Sequence, residues 1–303
     1  MKYRIIHKTT YVSADPVSVG HNEAWLTPRE TLSQRVLAQR IEIDPQPSIC
    51  STLIDYFGNT VTLFAFNEGY HTLTVSANDE VEIHAVPAAN GSGPSLETVV
   101  AATRGHATAA DLDAYEFTFD SPRCRAAPEF AEYARTACAP QRPVLEALAD
   151  LMQRFHADFH YDSSATTVST PVEQVFRHRS GVCQDFAHLM ISMLRSMGLA
   201  ARYLSGYLRT LPPPGKPKLI GADASHAWLA AYCGPLGWID LDPTNNVFPG
   251  TDHITIAWGR DYTDVAPIKG VYVGGSSPQP EVSVDVTPIE EGAPNDETRA
   301  KKE

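Results

Sequence analysis

The chain has 303 residues, 24 Lys plus Arg against 36 Asp plus Glu, and a formal net charge of −12. Its 43% apolar content suffices for the cores of about two domains and excludes wholesale disorder. The acidic balance argues against a partner recognised through a phosphate backbone, and no apolar run approaches the ~18 residues of a membrane span. The basic stretch Met1 to Lys8 has no apolar segment behind it, so it does not read as a secretory signal.

Residues 1–86 read as β structure. Tyr3 to Tyr11 is rich in Ile, Thr and Tyr. Gln39 to Asp44, Thr60 to Phe66, Thr72 to Ser76 and Asp79 to Val86 alternate polar and apolar residues. Asp15-Pro16, Asp44-Pro45, Phe57-Gly58-Asn59 and Asn67-Glu68-Gly69 read as turns between them. Such punctuation predicts an antiparallel, sandwich-like N-terminal domain, a scaffold or recognition unit without a catalytic cluster of its own. Residues 87–127, rich in Ala, Gly, Pro and Ser, read as a connector.

Helical spacing begins near Pro128 and is clear from Val144 to Phe159 and from Val172 to His178. It is strongest after Gly181, where Phe186, Leu189, Met190, Met193, Leu194 and Met197 form one apolar stripe and Gly198 stands as the C-terminal cap. Three strands follow: Ala201 to Leu208, His226 to Cys233 and Trp238 to Leu241. The last two are joined by the turn Gly234 to Gly237, and the proline-rich loop 212–217 reads as exposed and mobile. Residues 128–286 thus form an α+β catalytic core with C-terminal strands, and 287–303 an acidic disordered tail.

The five cysteines, Cys50, Cys124, Cys138, Cys183 and Cys233, are odd in number, widely spaced and without a C-x-x-C pair. Free thiols in a reducing cytoplasm are expected. Cys183 differs from the rest in opening the strongest helix, where partial positive charge and unpaired N–H groups favour a thiolate and could bind an oxyanion. The other four read as buried structural thiols. His226 starts a strand and supplies a base. Asp240 and Asp242, near the end of the next strand, both qualify as its orienting acceptor. The geometry expected is an Nδ1–H bond to the carboxylate with Nε2 facing the sulfur.

Gly181-Val182-Cys183-Gln184-Asp185-Phe186-Ala187-His188-Leu189, then Ser225-His226-Ala227-Trp228, then Gly237-Trp238 through Asp242-Pro243-Thr244-Asn245 resemble the three core motifs of the transglutaminase-like superfamily. Tyr56-Phe57-Gly58-Asn59 and Arg260-Asp261-Tyr262-Thr263-Asp264-Val265-Ala266-Pro267 resemble the bacterial subgroup with a separate N-terminal β domain. The resemblance implies a papain-like core with Cys183 as nucleophile, His226 as base and Asp242, rather than a solvated Asp240, as orienter. It implies a peptide or protein amide substrate and no cofactor. Cys-dependent hydrolysis is the leading expectation, with acyl transfer to an amine or a non-catalytic peptide-binding role as alternatives. Tyr161 is a candidate oxyanion donor, Gln184 and Asp185 could order hydrogen bonds beside the nucleophile, Trp228 could wall the site, and Arg260, Asp261 and Tyr262 could line the cleft. A zinc site from Cys183, His188 and His226 has irregular spacing and no fourth ligand, so no metal is expected.

Overall fold

In the computed structural model, which describes residues 1–85, 93–210, 224–276 and 280–289, one long strand organises the first unit. Strand β1 (Lys2–Ala24) pairs with β5 (Tyr70–Ile83) through its first half and with β4 (Thr60–Phe66) through its second. Alternation buries Tyr3, Ile5, His7 and Thr9 on one face. Strands β2 (Gln34–Asp44) and β3 (Ile49–Ile54) complete this part of the sheet, in the order β2-β5-β1-β4-β3. Asp15-Pro16, expected as a turn, instead lies in a β1 irregularity. The register shifts between Val12 and Val17, and the Ser13 hydroxyl donates to the Asp15 carbonyl at 2.7 Å. This bend curls the sheet over a core of Leu26, Phe64, Phe66, Leu73 and Val75.

The helical unit follows. The expected connector contains α1 (Leu96–Arg104) and α2 (Ala109–Tyr115), whose first turns are capped by the Ser95 and Thr108 hydroxyls. Helices α3 (Pro128–Arg135), α4 (Val144–Asp158) and α5 (Val172–His178) surround α6 (Cys183–Ser196). The rings of Phe155 and Phe159 stack at 4.1 Å and meet Phe186 of α6 edge-on. The opposite face of α6 lies on a four-stranded antiparallel sheet. Its strands, in the order β10-β9-β8-β11, are β8 (Ala201–Leu208), β9 (Ala224–Tyr232), β10 (Trp238–Leu241) and β11 (His253–Gly259). Two short strands, β6 (His160–Tyr161) and β7 (Ser180–Gly181), pair in parallel just before α6. Helix α7 (Tyr262–Val265) follows β11. The fold is α+β, and no helix among the described residues is long and apolar enough to cross a membrane.

The end of the chain departs from expectation. Strands β12 (Ile268–Gly274) and β13 (Glu281–Pro288) join the first sheet, β13 against Tyr3 to Thr10 and β12 against Val17 to Ala24. The chain thus leaves the N-terminal sheet, builds the helical unit and returns, and residues 287 and 288 close a strand instead of starting a tail. Val86, the proline-rich loop 212–217 and residues 290–303 lie outside the described residues.

Two side-chain amides fasten the units together. Gln34 donates to the Thr255 carbonyl at 2.7 Å and accepts from the Thr255 N–H at 2.9 Å. Asn59 does the same for Trp258, at 2.9 and 3.0 Å. Both thereby act as surrogate strand partners along the edge of β11, whose backbone groups would otherwise be stranded in the interface. Asn59 is fully buried and its amide also bonds Asp55 and Arg29, while the Arg29 guanidinium lies 3.5 Å from the centre of the Trp258 ring. Asn59→Leu should cost roughly 2–4 kcal/mol, because it orphans several buried groups at once. A lowered denaturant midpoint at constant m-value is the expected result, and an unchanged midpoint would show that these bonds hold nothing together.

Candidate active site

Cys183 is the first residue of α6, half-buried, with its backbone N–H among the first-turn groups that have no intrahelical acceptor. The approach is fixed from both sides. The Tyr161–Gly181 pairing of β6 and β7 and the Asp162 N–H bond to the Gly181 carbonyl at 2.9 Å set the entry, and the Asp185 carboxylate accepts the Val182 N–H at 2.9 Å. Gly181 is needed there, since a Cβ would fall 2.8 Å from Asp185 Oδ2. Asp185 also accepts the Thr166 hydroxyl, and burial raises its carboxyl. It thus anchors the helix start and bonds to α6's own approach.

His226 lies on β9 and is buried. Its Nε2 donates to Asp242 Oδ2 at 2.8 Å, since a carboxylate can only accept. This reverses the expected nitrogens: Asp242 lies just beyond β10, within reach of the far ring atom, and Nδ1 is left as the second polar atom of the ring. Burial alone would lower the imidazole, but hydrogen bonds with Asp242 and Cys183 overcome it and raise it to about 9. Gly206 of β8 pairs with His226, and its missing Cβ lets the Trp228 ring and the Ile254 carbonyl approach.

Asp242 is wholly inaccessible. Burial would raise its carboxyl, yet donors from His226, His253 and Asn245 hold it well below the usual carboxylate range. Oδ1 accepts the backbone N–H groups of Thr244 and Asn245 at 3.0 and 3.2 Å. Oδ2 accepts Asn245 Nδ2 at 2.7 Å and His253 Nε2 at 3.0 Å, in addition to His226. Neither Asn245 nor His253 was assigned a role from sequence. Asn245 stood within the quoted motif, and the β-branched alternation His253-Ile254-Thr255-Ile256 marks a strand that pattern reading could have found. The ligand atoms of His226, Asp242 and His253 lie close enough to hold a metal ion, but here they satisfy one another by hydrogen bonds.

The remaining predicted residues divide. Tyr161 is 60% exposed, and its phenol is raised by partial burial and by the nearness of Cys183, so it stands at the mouth of the site. Gln184 reaches away to the Val168 carbonyl at 3.4 Å. Trp228 is fully buried, its ring 6.1 Å from that of His226 and nearly parallel to it, so it floors the imidazole from inside the core. Its indole N–H donates to Asp240 at 3.0 Å, which corrects the expectation that Asp240 is solvated. Arg260 does not face Cys183: its guanidinium pairs with Asp264 at 2.9 Å and lies over Phe57 of the first unit. Asp261 is fully buried and caps α7 through the Thr263 N–H at 2.8 Å. Tyr262 presents its N–H to His188 Nε2 at 3.1 Å. His188 is buried against Tyr203, and burial pushes it down to about 3, so it serves as a neutral acceptor.

Among the other thiols, burial pushes Cys124, Cys138 and Cys233 up to about 12. Cys50 departs from expectation, being exposed on β3. Iodoacetamide should therefore modify Cys50 and Cys183 in the native protein and reach the other three only after unfolding. Mass spectrometry of the five cysteine peptides checks this, and native labelling of Cys124, Cys138 or Cys233 would contradict it.

A cysteine-bearing helix laid on an antiparallel sheet, with a histidine and an aspartate brought together at the sheet's end, defines a transglutaminase-like protein. Residues 131–243 match the transglutaminase-like superfamily and residues 3–82 the bacterial transglutaminase-like N-terminal region. The chain is 42% identical over 295 residues to Uncharacterized protein Rv2569c of Mycobacterium tuberculosis, covering 95% of this chain and 93% of that one. It is also 35% identical over 133 residues to the protein-glutamine gamma-glutamyltransferase of Pseudomonas aeruginosa, covering 43% of this chain and 19% of that one. A crystal structure of a candidate cysteine protease from Cytophaga hutchinsonii superposes with a TM-score of 0.71 at 22% identity, covering 96% of this chain and 92% of that one. The chain belongs to the transglutaminase-like superfamily and is an enzyme of the hydrolase or acyltransferase type.

Proposed function

We propose that this chain is a cysteine-dependent hydrolase of amide bonds in peptides or proteins, with Cys183 as nucleophile, His226 as acid and base, and Asp242 as orienter. The observation that carries the reading is the imidazole of His226, hydrogen-bonded to a fully buried carboxylate and raised by it and by the nearby Cys183 at a helix start.

In the proposed cycle, Cys183 Sγ, its proton taken up by His226, attacks the carbonyl carbon and the carbonyl electron pair moves to oxygen. In this reading the Cys183 N–H at the α6 terminus, with Tyr161 at the mouth, receives that charge. The intermediate collapses as the C–N bond breaks, His226 gives its proton to the leaving nitrogen, and an amine departs from a thioester. Water, deprotonated by His226, then attacks the thioester. The acid is released and Cys183 is regenerated. The exposure of Tyr161 and the partial exposure of Cys183 support access for water. Acyl transfer to an amine uses the same thioester, and the likeness to the Pseudomonas aeruginosa protein-glutamine gamma-glutamyltransferase favours it as a second reading. Free thiols at all five cysteines fit a reducing compartment, and a cytoplasmic location is part of this proposal.

Cys183→Ala should lower turnover of a peptide amide by about a thousandfold or more while leaving the melting temperature nearly unchanged, and His226→Ala should lower turnover by a similar factor. A Cys183→Ala variant that keeps full turnover would remove the reading. Product analysis with a labelled primary amine present separates the chemistries: free acid as the main product fits hydrolysis, and predominant amine incorporation fits transfer.

The pH dependence has a defined sign. The imidazolium of His226 persists up to about pH 9, so kcat/KM should fall on the alkaline side near that value. Asp242→Asn removes the charge that raises His226 and should move this limb toward lower pH. An alkaline limb that stays in place in the variant would contradict the coupling.

A further inference from the structure

We propose that His253 is a positioning residue of this site, which fixes the Asp242 carboxylate relative to the imidazole of His226. The proposal rests on the cysteine-hydrolase reading above.

Asp242 has several donors, but they differ in where they come from. The N–H groups of Thr244 and Asn245 and the Asn245 side chain belong to the same loop as Asp242 and travel with it. They neutralise the carboxylate without fixing it against the sheet. Two donors come from elsewhere: His226 on β9 and His253 on β11. His226 is the group to be oriented, so His253 is the independent anchor. Both histidines reach the same oxygen, at 2.8 and 3.0 Å, and their rings are 5.9 Å apart. The edge of the Trp228 indole packs against His253 at 5.3 Å and 77°, limiting its rotation.

The other nitrogen of His253 is buried without a hydrogen-bond partner among the described residues. An apolar ring would fill the same space without stranding a nitrogen, so the polar contact with Asp242 is what calls for a histidine. The ionisable groups facing it are Asp242, His226 and Asp240. His253 begins β11, and the amide of Gln34 grips β11 at Thr255, two residues further on. The anchor of Asp242 is thus held by the first unit.

The test uses the full chain and iodoacetamide, following alkylation of the Cys183 peptide by mass spectrometry from about pH 5 to 10. Alkylation near pH 6 reads the reactivity of Cys183 beside an oriented imidazolium, and alkylation near pH 10 reads it after the imidazole has lost its charge. His253→Ala, and His253→Phe, which fills the space without a donor, should each lower the rate near pH 6 by about tenfold or more. They should leave the rate near pH 10 within about threefold of the parent. His253→Gln, which keeps a donor at similar reach, should recover most of the loss. An unchanged rate near pH 6 in a folded His253→Phe protein, or a loss in His253→Gln as large as in His253→Phe, would overturn the inference. His226→Ala separates the two levels. If it lowers the rate near pH 6 and the His253 variants do not, only the role of His253 fails. If His226→Ala has no effect, the cysteine–histidine reading fails with it.

Discussion

A carboxylate removed from water must be compensated or lose its charge, and the second unit of this chain is arranged around that demand. Asp242 is inaccessible, and five donors converge on its two oxygens. The anion survives because of them, and its survival in turn keeps the neighbouring imidazole charged far above its ordinary range. The Trp228 floor, the missing side chain of Gly206 and the loop after β10 all serve to bring those donors to one point. A buried pair of this kind is a costly way to gain stability, which fits a role in setting the state of a reactive group.

The same constraint reaches into the first unit. Strand β11 is the sheet edge next to β8, and its outward backbone groups are satisfied by Gln34 and Asn59 of the N-terminal sheet. The chain end reinforces this arrangement, since β12 and β13 return to β1 directly after α7. The two units also share one apolar core that includes Tyr3, Ile5, Val81 and Ile83 with residues of α4 and α6. The N-terminal sheet is therefore a structural part of the frame that supports the site.

Much of this was legible from sequence where one local rule dominates. The apolar stripe of α6 and the strands β8 to β10 follow from periodicity and a tight turn, which bring His226 to the end of the sheet that carries Asp240 and Asp242, and the resemblance to the superfamily motifs selects Asp242. What escaped depends on contacts distant in sequence. Asp15-Pro16 carries a turn signal, but pairing with β5 on either side keeps the strand continuous. The connector's composition suggested irregular chain, whereas hydroxyl caps and burial of Leu96 and Val99 set two helices within its described residues. His253 was overlooked because a histidine outside the three motifs has no local mark of its partner, and the ring nitrogens of His226 were assigned in reverse because their roles depend on where Asp242 sits beyond β10. Arg260 and Asp261 lie in a motif that suggested a cleft, yet their side chains brace α7 and the interface with the first unit.

The proposed chemistry passes through a covalent acyl intermediate on Cys183. Incubation of the protein with an activated peptide ester, followed by rapid acid quench and mass spectrometry, tests it directly, because acid slows hydrolysis of the thioester. The account predicts a mass gain equal to the acyl group, located on the Cys183 peptide and lost in Cys183→Ala. Turnover of the ester with no acylated Cys183, or with the acyl group on another residue, would contradict it.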